Sequence, residues 1–168
     1  MTIQVGEKLP AGTLTESTEF DPANGCPLNP QPVSVADQAK GRKIVIFGVP
    51  GAFTPTCSVK HLPGFVEHYN ELKARGVDEV WCMAVNDAYV MASWGREQKA
   101  GGKVRMMADG SADYARKLGL DRDLTANGMG VRCYRFGMIV DDGVVKYLGI
   151  EASGKFEVSN VEAILAQL

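Results

Sequence analysis

Apolar positions along the chain change rhythm several times, and each change marks an element. Residues 43–50, KIVIFGVP, form a short continuous apolar run, the pattern of a strand buried on both faces of a sheet and stopped by Pro50 and Gly51. Beyond it the spacing becomes three and four. Val59, Leu62, Phe65, Val66, Tyr69 and Leu72 predict a helix over residues 56–75, with Gly76 at its C-terminal end and Pro63 kinking it or loosening one turn. VDEVWCMAVN predicts a second central strand, DAYVMASWGREQK a helix, VRMMAD a third strand and ADYARKLG a short helix. LDRDLTANGMG reads as a polar loop. RCYRFGMIV and VVKYLGI flank DDG as the arms of a hairpin, and VSNVEAILAQL closes the chain as an amphipathic helix.

The first forty residues differ. Stretches such as DPANGCPLNPQPVS are dense in turn formers and leave room only for short strands and turns, as in a packed N-terminal extension. Parallel β-α-β units followed by a hairpin and a terminal helix predict an α/β domain of the thioredoxin-like fold, with residues 1–168 as one domain.

Composition narrows the function classes. With 18 Lys plus Arg against 20 Asp plus Glu and no run of like charge, nothing marks a nucleic-acid groove or a polybasic membrane patch. No segment approaches the roughly 18 to 20 apolar residues of a membrane span, and the N-terminal residues lack the basic-then-apolar pattern of a leader, so the expectation is a cytoplasmic protein. Cys26, Cys57, Cys82 and Cys133 are widely spaced, with only His61 and His68 to accompany them. That spacing argues against a zinc site or disulfide framework, and neither metal nor cofactor is expected.

One cysteine is placed differently from the rest. Cys57 follows the Pro- and Gly-rich turn VPGAFTPT and falls in the first turn of the predicted helix, where unpaired N–H groups and the helix dipole stabilise an anion. A nearby cation added to that setting makes a nucleophilic thiolate. Thr54, three residues earlier, reads as an N-terminal cap or as a hydroxyl directed at the sulfur and whatever it attacks; Pro50 and Pro55 read as helix-start prolines.

Pro50, Thr54 and Cys57 form P-x-x-x-T-x-x-C, which resembles the active-site signature of the peroxiredoxins. PGAFTPTCSVKHLPGF with the later VNDAYVMASWG is similar to the plant type II and mammalian peroxiredoxin-five group, from about Ile44 to the C-terminus. The resemblance implies a thiol peroxidase. Cys57 attacks the O–O bond of hydrogen peroxide or an organic hydroperoxide and becomes a sulfenic acid, Pro50 shields the sulfur, Thr54 orients the peroxide, and the Cys57 N–H bonds the substrate oxygen. It also implies a homodimer and an arginine from a distant strand, here Arg135, whose planar fork holds thiolate and peroxide. Arg132, three positions away, is expected on the opposite side of a strand, and Cys133, two positions away, on the same side as Arg135.

The recycling thiol is open at this level. Cys82 stands 25 residues after Cys57 (82 − 57), where plant type II members carry a second cysteine, but a mid-strand thiol is usually inert. Cys133 ranks below it and Cys26 below both. The resolving position of mammalian members, corresponding to GKFEVSN, holds no cysteine. Reduction by glutathione with glutaredoxin, or by thioredoxin, is the alternative to an internal disulfide. Two rival classes accompany the peroxidase: a Cys57–His61 acyl-transfer hydrolase, with His61 otherwise a helix-surface residue, and a non-catalytic thioredoxin-like interaction module. Phe53, Phe65 and Trp94 are candidates for an apolar collar around the site, for a dimer contact, or for plain core packing.

Overall fold

The computed structural model describes residues 1–168. The extension supplies β1 (Thr13–Glu16), β2 (Glu19–Phe20), β3 (Pro27–Leu28), β4 (Gln31–Ser34) and α1 (Val35–Ala39). There follow β5 (Lys43–Gly48), a π-helical turn (Cys57–His61), α2 (Leu62–Glu67), α3 (Tyr69–Ala74), β6 (Glu79–Ala84), α4 (Ala88–Glu97), β7 (Val104–Ala108) and α5 (Asp113–Leu118). The chain ends with β8 (Asp121–Leu124), β9 (Gly130–Cys133), β10 (Phe136–Asp141), β11 (Val144–Ile150) and α6 (Val161–Gln167).

Seven strands form one sheet in the order β11-β10-β5-β6-β7-β1-β4. β5, β6 and β7 are parallel, while β10 and β11 complete one side antiparallel. This is the thioredoxin-like arrangement, and the extension does more than pack on it: β1 pairs with β7, and β4 with β1. The apolar runs are continuous because both faces are covered. Ile44, Ile46, Trp81 and Met83 point into one core layer, beneath α1 and α5. Val45, Phe47, Val80, Cys82 and Ala84 point into the other, beneath α2, α4 and α6.

Four expectations change. LDRDLTANGMG contains a strand, β8, paired with β9 as a separate two-stranded ribbon; with both faces partly exposed, Asp121–Leu124 has no apolar alternation to betray it. RCYRFGMIV is two strands, with Tyr134 and Arg135 in the break between β9 and β10. Residues 56–75 are not one helix. Leu62 N–H bonds back to Cys57 O, a π-type closure just before Pro63, which has no N–H to continue a regular ladder, and at His68 the ring Nδ1 also bonds Gly64 O and separates α2 from α3. Finally, the extension holds a helical turn, α1, capped by the Ser34 hydroxyl.

Candidate active site

The site is built where β5 gives way to its turn. The parallel ladder runs one residue past the strand, Val49 N–H donating to Met83 O at 3.0 Å, and Ala52 N–H is taken by Asn86 Oδ1 at 2.9 Å. Phe53 adopts φ +63°, an unusual conformation for a bulky residue, and reverses the chain into the helix. Helical conformation begins at Pro55, so Cys57 does sit in the first turn.

Cys57 is fully buried, and Arg135 reaches it: Nη2 donates to Sγ at 3.2 Å. Lying in the break between two strands, Arg135 escapes strand alternation and turns toward the helix start. Its Nη1 meets His61 Nδ1 at 3.0 Å, and no carboxylate lies within ion-pairing distance of it. The cation therefore keeps its field for the sulfur.

His61 is not a helix-surface residue. It is buried among Phe47, Phe65 and Phe156 at ring separations of 4.8, 5.7 and 5.0 Å. Burial, and then the adjacent Arg135, push its pKa down to about 3. Because guanidinium only donates, Nδ1 is the acceptor, and Nε2–H donates to Ser159 O at 2.8 Å. Both ring nitrogens are thus committed away from the thiol, which removes the Cys57–His61 nucleophile–base pair.

Thr54 Oγ1 donates to Gly51 O at 2.7 Å rather than accepting from the first turn, and Ser58 N–H reaches the Thr54 carbonyl at 2.9 Å. The side chain is not a cap, and its lone pairs stay free to accept from an O–H. Pro50 is half-buried at the start of the turn. Arg132 is not directed away as strand alternation implied: Nη1 lies 3.4 Å from both Pro50 O and Val85 O, and Nε donates to Met129 O at 2.9 Å. Arg132 thus meets the Pro50 end of the turn and Arg135 its Cys57 end, with the break at Tyr134 and Arg135 between them.

Of the other thiols, Cys82 is buried in β6 within the same core layer as Cys57, and burial raises its pKa well above the ordinary thiol range. Cys133 donates to Val49 O at 3.2 Å but packs into the opposite layer; burial, then Asp109, push it up to about 12. It does not share a face with Arg135, again because of the break. Cys26 is exposed, and all four thiols are free. Of the collar candidates, Phe65 and Trp94 are core, the indole N–H donating to Ser58 Oγ at 3.0 Å, and only Phe53, 52% exposed, faces outward.

Glu151 and Ser159 escaped the sequence reading, since a Glu beside a Gly-Lys turn looks like a solvated loop residue. No three metal-ligating side chains gather anywhere, and no helix is long and apolar enough to cross a membrane.

The Redoxin family matches residues 4–165 of the chain. Peroxiredoxin-2B of Arabidopsis thaliana is 45% identical over 166 residues, 99% of this chain and 98% of that protein. The chloroplastic Peroxiredoxin-2E-2 of Oryza sativa subsp. japonica is 48% identical over 170 residues, 99% of this chain and 73% of that protein. Among solved structures, reduced Prx3 from Vibrio vulnificus in complex with H2O2 superposes with a TM-score of 0.89 at 45% identity, covering 98% of each chain.

Proposed function

The chain belongs to the peroxiredoxins of the Redoxin family and is a thiol peroxidase, and from that premise we propose that Cys57 is its peroxidatic residue. The observation that carries the assignment is Arg135 Nη2 at 3.2 Å from a buried Sγ, with no carboxylate to neutralise it. The thiolate sulfur attacks one peroxide oxygen, the O–O bond breaks, and the departing oxygen takes a proton and leaves as water or an alcohol. Cys57 becomes a sulfenic acid. The guanidinium stabilises the negative charge that moves from sulfur to the leaving oxygen, Thr54 Oγ1 accepts from the peroxide O–H, the Cys57 N–H donates to the substrate oxygen, and Pro50 limits water at the sulfur.

Reduction by glutathione with glutaredoxin, or by thioredoxin, closes the cycle. The buried Cys82 thiol stays protonated, and reaching Cys57 requires the first helical turn to open, which disfavours an internal disulfide as the first step. Phe53 and Val59, 52% and 71% exposed beside the site, suit an organic hydroperoxide or a homodimer contact, and four free thiols suit the cytoplasm.

Intact mass and site mapping of reduced protein after one equivalent of hydrogen peroxide, without added thiol, test this directly. Oxygen gained on Cys57 supports a one-cysteine cycle. Two hydrogens lost in a Cys57–Cys82 peptide replace the external reductant with an internal one. An unreacted Cys57 removes the assignment and favours a non-catalytic module.

A further inference from the structure

Arg135 stands in the break between β9 and β10, where a long side chain has many alternatives, yet both of its ends are tied, the backbone to Glu151 and the side chain to His61. Glu151 N–H donates to Arg135 O at 2.9 Å. The Glu151 carboxylate, buried, gathers the N–H groups of Glu157, Val158 and Ser159 at 2.8–2.9 Å and the Ser159 hydroxyl at 2.6 Å. Ser159 O then receives His61 Nε2–H at 2.8 Å, and His61 Nδ1 receives Arg135 Nη1 at 3.0 Å. The hydrogen bonds close a ring from Arg135 through Glu151, the 157–159 turn and His61 back to Arg135.

The backbone beneath is cut to fit. Gly137 and Gly149 face each other across β10 and β11. A Cβ on Gly137 would stand 3.0 Å from Ser159 Cα and O, and one on Gly149 would overlap Val158 O. Two paired glycines thus leave the floor on which the turn brings Ser159 O to His61.

We propose that His61 and Glu151 are positioning residues for the peroxidase reaction: Glu151 fixes the 157–159 turn, the turn holds His61 as its Nε2–H tautomer, and the Nδ1 lone pair so exposed aims the Arg135 fork at Cys57. The alternative tautomer would present an N–H to a guanidinium N–H and turn the fork away. Arg135 and Glu151 are the charged groups that face the ring, Arg135 from the strand break and Glu151 from the end of β11, while Phe47, Phe65 and Phe156 pack around it. Buried between them, with its pKa pushed down to about 3, the ring is neutral at physiological pH, so the aim does not vary there.

The inference rests on Cys57 and Arg135 acting as proposed, and its test separates the two. Asn places an oxygen where His61 Nδ1 stands, whereas Gln carries its amide to the Nε2 position and leaves Arg135 Nη1 without an acceptor. In single turnover with hydrogen peroxide, His61→Asn is expected to stay near wild type, while His61→Gln slows by about 100-fold, the scale of a catalytic group displaced by ~1 Å. Glu151→Gln slows the wild-type background but adds nothing to His61→Asn, whose acceptor no longer depends on a tautomer. The pH of half-maximal iodoacetamide alkylation of Cys57 should move with the rate. In reduced wild-type protein, long-range proton–nitrogen correlation should show His61 neutral, with Nε2 protonated, at pH 5. His61→Asn as slow as His61→Gln, equal slowing by Glu151→Gln in both backgrounds, or an Nδ1–H or charged His61 would overturn the inference. Wild-type Cys57 inert to peroxide would instead sink the peroxidatic assignment, leaving the alkylation profiles and the tautomer to judge the positioning.

Discussion

Two arginines at opposite ends of the parallel strands show what separates a structural cation from a chemical one. Arg105, at the start of β7, is saturated with carboxylate: Nη2 and Nε grip Glu16 at 2.7 and 3.0 Å, while Nη1 meets Glu79 and Gln38, each at 3.0 Å. Its charge is spent joining β1, β6 and α1 to β7. Arg135, beyond the opposite ends of those strands, makes two side-chain hydrogen bonds against the four of Arg105, neither of them to a carboxylate; its partners are a neutral imidazole and a sulfur. Both are only partly exposed, so the difference is the charge of the partner and not the depth of burial. A guanidinium held by neutral acceptors keeps its field available for an anion that forms during reaction.

Replacing each arginine in turn is the sharpest way to break the contrast. Arg135→Ala should slow the peroxide reaction of Cys57 by about 10²–10³, the cost of losing one preorganised donor, with little change in melting temperature. A large loss of stability with an unaltered rate would make Arg135 a second Arg105.

Acidification attacks the neutral partner. His61 has a folded-state pKa of about 3 against an ordinary ~6.5, so its contribution to stability is complete above pH ~6.5 and is lost as pH falls from there toward 3. Over that window the unfolded chain binds one more proton, and stability should fall by about 1.4 kcal/mol per pH unit. Glu151, whose pKa is lowered chiefly by hydrogen bonds from Ser159 and the neighbouring N–H groups against an opposing effect of burial, adds to the loss only below the ordinary glutamate range of ~4.3. Urea midpoints across pH 7 to 4 should slope in wild type and flatten in His61→Asn; equal slopes would mean that His61 is not neutral in the folded state.

At the other end, Arg105→Ala leaves Glu16 without its cation and Glu79 with only the exposed Arg42 and the Trp81 indole N–H, and should cost about 1–3 kcal/mol in urea unfolding, with the single-turnover rate unchanged. The smallest effect belongs to Arg42, whose 3.6 Å pair with Glu79 is 44% exposed on the arginine side. Arg42→Ala should cost below ~1 kcal/mol and lose that difference in high salt.

Legibility from sequence follows the same division. β5, β6, β7, α4, α5 and the β10–β11 hairpin are encoded by local period and turn chemistry, and each stands where its pattern placed it. β8 was hidden because a ribbon exposed on both faces carries no alternation. The break at Tyr134 and Arg135 was hidden because the residues on both sides of it are equally strand-like. That one break misdirected three inferences: the side of Arg132, the face shared by Cys133 and Arg135, and the assumption that Arg135 projects from a strand.

By itself the sequence determined that a cysteine opens a helix immediately after a buried strand, within a Pro-Thr-Cys spacing that resembles one family. Those are short-range facts, and backbone sterics and hydrophobic period write them locally. Only the tertiary structure decided that Arg135 meets Cys57, His61 meets Arg135 and Ser159 meets His61, across separations of 78, 74 and 98 residues. Period specifies which face of an element is buried. Which polar groups then meet depends on how the elements dock, because a donor and an acceptor must come within about 3 Å, and that distance is set by strand breaks, π turns and paired glycines that leave little mark on the local pattern.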